Sequence, residues 1–206
     1  DDNSVVEQLK TNSLWKKYKI SSVDLSIQEV NPENILNELL ASENCITVSH
    51  PVKGRWENSY LESYLTPSVS RLLNQACAVA RQAYGDQFTV PSQFLAYPNN
   101  EYWFNIAGPG ESTGVHNHKD ESAVSGVYYL QVPPDSSDLY FRNGDAVEFS
   151  VKAVVGRMIL FPSHLDHYVP ENRSTEPRIS LAFNCYSSQL PDATGNEEYD
   201  VHRFFA

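Results

Sequence analysis

A chain of 206 residues is long enough for one well-cored domain, and its 41% hydrophobic content with 12 Tyr, 9 Phe and 3 Trp excludes a disordered polymer. A formal net charge of −11 argues against sequence-independent nucleic-acid binding, which needs clustered Lys and Arg against phosphate. A small anionic ligand held in one basic pocket stays compatible with it. Cys45, Cys77 and Cys185 are odd in number and widely spaced, with no C-x-x-C pair, which fits a reducing compartment better than a disulfide scaffold. No run of about 18 apolar residues and no basic-then-apolar N-terminus occurs, so neither a membrane span nor a signal peptide is expected. The first residue is Asp1 rather than Met, which leaves room for upstream trimming. The expectation is a soluble, cytoplasmic, single domain without a membrane partner; the oligomeric state is unknown.

The N-terminal half carries helix signals. Asn31-Pro32 reads as an N-cap with proline at the first helical position, ahead of Ile35, Leu36, Leu39 and Leu40 at helical spacing, and predicts a helix near 33–43. Thr66-Pro67 repeats that start before Val69, Leu72, Leu73, Ala76 and Ala80, with Gly85 as the C-cap of a helix over 67–84. The apolar stripe of this second helix reads as core packing.

After about residue 88 the pattern changes to short β-rich runs, at 101–107, 125–132, 139–142, 147–151, 157–161 and 178–186. Turn clusters separate them, such as Gly108-Pro109-Gly110, Pro133-Pro134-Asp135 and Arg142-Asn143-Gly144-Asp145. Many short strands without intervening helices predict a mainly β fold with flanking α, a sandwich or jelly-roll barrel buttressed by the N-terminal helices. Residues 1–98 would then supply helical support and outer strands, 99–190 the barrel core, and 191–206 a polar surface tail.

The chemistry-bearing residues lie in the barrel half. His116 and His118, at i and i+2 on an extended strand, share one face, so both rings could reach one metal ion. The register His118 and Asp120 is the alternative, and it forms an H-x-D pair. His167 is the third candidate, favoured over His164 by its spacing to the arginine that follows; His164 reads as an exposed loop side chain. Pro162 breaks the ladder after 157–161, so the residues beyond it bend away. In the last strand Ile179, Leu181 and Phe183 form an apolar face, while Arg178, Ser180, Ala182 and Asn184 form the other. That polar face suggests a cavity inside the barrel, where a buried arginine needs an anionic partner. Arginine can hold a carboxylate through two parallel hydrogen bonds, and Ser180 could donate a third. The cluster Tyr97, Tyr102, Trp103 and Phe104 reads as core before pocket lining.

From Trp103 to Asn184 the chain resembles the 2-oxoglutarate/Fe(II)-dependent oxygenase superfamily, in particular a set of functionally uncharacterised bacterial and viral members. The phrases that carry the resemblance are Trp103-Phe104-Asn105, His116-Asn117-His118, Ser125-Gly126-Val127-Tyr128-Tyr129, the run from Phe161 to Val169 and the run from Arg178 to Asn184. The resemblance implies a double-stranded β-helix (jelly-roll, cupin-like) with metal at one mouth and 2-oxoglutarate deeper inside. It places His116 and His167 on metal-ligand positions and favours His118 as the second ligand, at a position where relatives carry aspartate. It implies Fe(II), 2-oxoglutarate and O₂ as cofactors, with Arg178 and Ser180 on the far carboxylate and Asn105 helping to bind the cosubstrate. Tyr128 or Tyr129 would reach the same carboxylate, and Asn184 completes the polar face. The implied reaction is hydroxylation of a C–H bond in a small molecule or protein side chain, with release of succinate and CO₂; nucleic acid is disfavoured by the acidic surface. The competing reading is a cupin-like metal- or sugar-binding module without redox turnover, which has no need of the Arg178/Ser180 pair.

Overall fold

The structure is a computed structural model that describes residues 12–49, 58–91, 101–118, 122–143 and 147–187. Among the described residues three α-helices lie in the N-terminal half. Helix α1, Ser13–Tyr18, starts where the Asn12 side chain accepts the Leu14 N–H at 2.9 Å and stops at Lys19, whose φ of 59° is left-handed. No expectation covered it, because six residues carry too little periodicity. Helix α2, Pro32–Ala41, is capped by Asn31, whose side chain accepts the Glu33 N–H at 2.9 Å. It buries Ile35 and Leu39, half-buries Leu36 and leaves Leu40 exposed, so its apolar stripe is narrower than the spacing suggested.

Helix α3, Pro67–Tyr84, matches the expected bounds and ends on Gly85 at φ 79°, whose N–H bonds back to Arg81 O at 2.9 Å. Its start differs from the expected cap. Thr66 makes no side-chain cap bond; instead Glu38 of α2 accepts the Ser68 N–H at 3.0 Å and the Ser68 hydroxyl at 2.5 Å. A carboxylate borrowed from the neighbouring helix meets the positive end of α3 and pins the two helices together.

The strands are β1 Ser21–Asp24, β2 Thr47–Val48, β3 Ser59–Tyr60, β4 Phe88–Thr89, β5 Tyr102–Ala107, β6 Thr113–His116, β7 Val124–Gln131, β8 Leu139–Asn143, β9 Val147–Val151, β10 Arg157–Pro162, β11 Asp166–Val169 and β12 Arg178–Ser187. Six lie where alternation and turn residues placed them, to within a residue or two at either end. They form two antiparallel sheets. The larger runs β1-β10-β7-β12-β5-β3-β2, with β4 also on β12; the smaller runs β6-β11-β8-β9. Gly144 and Asp145 of the turn after β8, and the tail at 191–206, fall outside the described residues.

Alternation along the larger sheet splits its side chains between two environments. Tyr102, Phe104, Val124, Tyr128, Leu130, Met158, Leu160, Ile179, Leu181 and Phe183 pack with α2 and α3 into one apolar cluster. Val127, Tyr129, Ile159 and Phe161 face the smaller sheet and pack with Leu139, Phe141, Val151 and Val169. The helices therefore cover one face, and the site lies between the two sheets on the other.

Gly126 shows how tightly the covered face is filled. It pairs with Phe183 and Leu160 on its two sides, and a Cβ there would overlap the Phe183 ring and come within 2.8 Å of Leu160 Cδ2. Gly126→Ala is expected to cost about 1–3 kcal/mol, the usual overpacking penalty. For a chain of this size that lowers Tm by roughly 2–12 °C, and a thermal melt indistinguishable from wild type would show that Phe183 yields without cost.

Candidate functional site

Three histidines meet between the sheets. His116, the last residue of β6, is the direct cross-strand partner of His167 on β11, and their ring centroids lie 4.2 Å apart. His118 does not ride the same strand. It lies two residues beyond the end of β6, and its backbone N–H bonds to Ser163 O at 2.8 Å, in the turn that joins β10 to β11. The strand-alternation argument for the pair His116 and His118 is thus replaced by a loop anchored on that turn. The turn also explains His167: after Pro162 the chain folds back, with Leu165 N–H on Pro162 O at 3.0 Å, and enters the smaller sheet as β11. The break expected at Pro162 occurs, but a short strand follows it.

The candidate ligand nitrogens of His116, His118 and His167 all lie within 4.8 Å of one another. Two of the rings are already oriented. His116 Nδ1 faces Gly114 O at 2.8 Å and His167 Nδ1 faces Leu165 O at 3.0 Å. A carbonyl only accepts, so Nδ1 is the donor in each contact and Nε2 is the candidate ligand atom of both rings. Phe161 packs on His167 at 4.8 Å and Trp103 flanks His118 at 6.1 Å, which restricts both rings. His164 is exposed, as expected. Asp120, the alternative ligand, lies outside the described residues, as does Tyr97.

Deeper in the same cavity stands Arg178, at 2% exposure. Its Nε donates to Ser137 O at 3.2 Å, and its guanidinium lies 5.0 Å from the Tyr129 ring centroid. Among the described residues no carboxylate pairs with it. Beside it, the buried hydroxyls of Ser180 and Tyr129 have no hydrogen-bond partner among the described residues. Burial raises the pKa of Tyr129, and the neighbouring Arg178 charge opposes that rise. The phenol therefore stays protonated and available as a donor. A positive charge and two orphaned hydroxyls around one void form a cradle that fits a carboxylate.

Strand parity corrects one candidate. Tyr128 points away from the cavity into the helix-side cluster, and its hydroxyl donates to Val30 O at 3.4 Å. Tyr129, one residue on, takes the inward place. The register of β7 against β12 slips by one beside it, between Ile179 and Ser180, a bulge of the kind common next to binding sites. Of the aromatic cluster, Tyr102 and Phe104 are helix-side core, and Trp103 lines the cavity.

Asn105, Ser180 and Asn184 also line the cavity, whose empty volume including the mouth is about 560 Å³. Asn184 is already engaged: its oxygen accepts from Ser125 Oγ at 3.0 Å and its nitrogen donates to Glu101 at 3.1 Å. Ser125 Oγ meets Ser163 Oγ at 3.0 Å, so this polar chain braces the turn that holds His118. Neither Thr113 nor Ser125, both in the wall, was singled out in the sequence; the alternation of β7 could have marked Ser125.

Residues 101–154 and 142–184 match the family model described as "Putative 2OG-Fe(II) oxygenase". No curated protein sequence matches the chain. Among solved structures the chain is similar to SnoN, a non-heme alpha ketoglutarate dependent epimerase from nogalamycin biosynthesis, with TM-score 0.73 and 14% identity over 98% of each chain. It is similar to a prolyl-4-hydroxylase of Pseudomonas putida, with TM-score 0.62 and 19% identity over 89% of this chain and 97% of that one. It is also similar to a prolyl hydroxylase of Trichoplax adhaerens solved with a hypoxia inducible factor peptide fragment, with TM-score 0.65 and 14% identity over 91% and 89% of the two chains. At these identities the structures establish the fold, a double-stranded β-helix. The family match spans residues 101–184, the stretch that carries the histidine cluster and Arg178.

Proposed function

We propose that this protein is a 2-oxoglutarate/Fe(II)-dependent oxygenase that hydroxylates a C–H bond, with His116, His118 and His167 holding Fe(II) and Arg178, Ser180 and Tyr129 holding the far carboxylate of 2-oxoglutarate. The observation that carries this reading is Arg178, buried at 2% exposure without a carboxylate among the described residues, in the cavity that also holds the histidine cluster. An unpaired buried cation is expensive, and a dicarboxylate that reaches from metal to arginine would neutralise it. A barrel that only bound metal or sugar would leave that charge unexplained.

When bound, Fe(II), 2-oxoglutarate and O₂ would supply the oxidation: one atom of O₂ would enter the succinate formed from 2-oxoglutarate with loss of CO₂, and the other would enter the substrate. The chain's own residues supply placement. His116 and His167 present Nε2 because backbone carbonyls hold their Nδ1 protons. Arg178 fixes the cosubstrate as a planar, permanently charged donor, with Ser180 and protonated Tyr129 adding neutral donors. Val127, Leu139, Phe161 and Val169 give the cavity an apolar part of its wall that offers water no side-chain partner.

The substrate reading is a small molecule or a peptide side chain. SnoN belongs to nogalamycin biosynthesis and the Trichoplax enzyme was solved with a peptide, so structures of this fold serve both classes. Among the described residues no helix is long and apolar enough to cross a membrane. Cys45, Cys77 and Cys185 form no disulfide, which supports a reducing, cytoplasmic setting.

Three measurements test the assignment. His167→Ala is expected to abolish stoichiometric metal binding, and full occupancy in that variant would remove His167 from the ligand set. Arg178→Lys keeps the charge but loses the fork, so an anaerobic titration should show a 2-oxoglutarate Kd raised about tenfold or more with metal occupancy nearly intact. Tyr129→Phe should raise that Kd about threefold to tenfold, while Tyr128→Phe leaves it unchanged; the reverse order would put the wrong tyrosine in the cradle.

A further inference from the structure

The segment between β7 and β8 holds two non-glycine residues in left-handed backbone, Asp135 at φ 62° and Ser137 at φ 74°. The third such residue among those described, Lys19, closes a helix, where that conformation is ordinary. Ser137 follows no helix, and a residue with a Cβ disfavours this region. The surroundings impose it. Ser137 Oγ donates to Glu171 O at 2.9 Å, Arg173 N–H donates to Asp135 O at 3.0 Å, and Ser136 N–H donates to Pro133 O at 3.2 Å. On the far side the Asp138 carboxylate accepts the Ala153 N–H at 2.9 Å. Strain held this firmly calls for a reason beyond chain reversal.

The reason lies one bond away, because the carbonyl of Ser137 accepts the Nε–H of Arg178 at 3.2 Å. We propose that Ser137 is a positioning residue: its left-handed backbone aims its carbonyl at Arg178 and commits that arginine to grip a carboxylate end-on, with its two terminal nitrogens. A guanidinium can meet a carboxylate side-on, through Nε and one terminal nitrogen, or end-on through both terminal nitrogens. The carbonyl occupies Nε and closes the side-on edge, while the Tyr129 ring lies beneath the group at 5.0 Å. The end-on edge remains. Ser180, two residues along on the same face of β12, has its unpartnered hydroxyl in the same cavity as a third donor.

This rests on the reading of the cavity as a 2-oxoglutarate site, and the test separates the two. Ser137→Pro pins φ near −65° and swings the carbonyl away, whereas Ser137→Gly accepts the native φ. Ser137→Val strains the native φ further with a β-branched side chain and stands in if the proline variant does not fold. All three lack the hydroxyl bonded to Glu171, so differences among them report the backbone alone. Each is loaded with Fe(II) and titrated anaerobically with 2-oxoglutarate by calorimetry, beside a metal titration and a thermal melt. The proline variant, or the valine variant in its place, should bind 2-oxoglutarate about tenfold or more weakly than wild type, with unchanged metal affinity. The glycine variant should stay within about threefold. Equal 2-oxoglutarate affinities across the variants, with only the melting temperature lowered, would reduce Ser137 to a structural role and overturn the proposal. Failure of wild type to bind 2-oxoglutarate would overturn the site assignment itself, and this inference with it.

Discussion

A guanidinium held at 2% exposure, with no carboxylate opposite it among the described residues, sets the terms for the structure around it. Its partners within the protein are neutral: the Ser137 carbonyl on one edge and the Tyr129 ring on one face. They offset part of the cost of removing the charge from water and leave the rest for an anion. Such a group stays folded inside only if the backbone beneath it cannot move. Arg178 opens β12, which pairs with β5 on one side and β7 on the other along most of its length. Behind that strand Ile179, Leu181 and Phe183 are locked against α2 and α3. The apolar face of β12 thus anchors the polar one.

The site divides its labour between the two sheets. The anion cradle rides on the centre of the larger sheet, while His116 and His167 come from the smaller one and His118 from the loop between them. Joining these parts is a run of small polar side chains. Ser122, Ser163, Ser125, Asn184 and Glu101 are linked by successive contacts of 2.6 to 3.1 Å, and the backbone of Ser163 holds His118. Each group in that run is satisfied by its neighbour, so it braces the loop without presenting bare polar atoms to the interior.

How much of this could be read from the chain depended on whether local pattern or tertiary contact decides the feature. Strands β5, β7, β10 and β12 of the larger sheet were legible because burial on two chemically different faces forces alternation, as in Arg178 to Asn184, whereas β1 to β4, of two to four residues, were not. Helix α3 was legible from Pro67 and Gly85, which mark its ends by backbone chemistry alone. Strands β6 and β11 escaped because four residues are too few to show a period, and β11 follows a proline that reads as an ending. The tyrosine pair failed for a sharper reason. Neighbouring residues in a strand face opposite ways, and the dipeptide Tyr128-Tyr129 says nothing of which is inward until its register against β12 is known. The cap of α3 failed likewise, since its acceptor, Glu38, lies 30 residues upstream.

The position of β6 has a consequence for motion. It is an edge strand of the smaller sheet, joined only to β11, with register partners at His167 and Val169 and an irregularity between them. Edges so lightly paired open first when amides exchange with solvent. The residue that pairs across this edge is also a ligand candidate, so an ion shared by His116 and His167 would act as a cross-link over the weakest seam of the barrel. Metal occupancy would then be felt as slowed exchange along Thr113–His116, while the amides of β12, fixed by two neighbours, would hardly register its arrival.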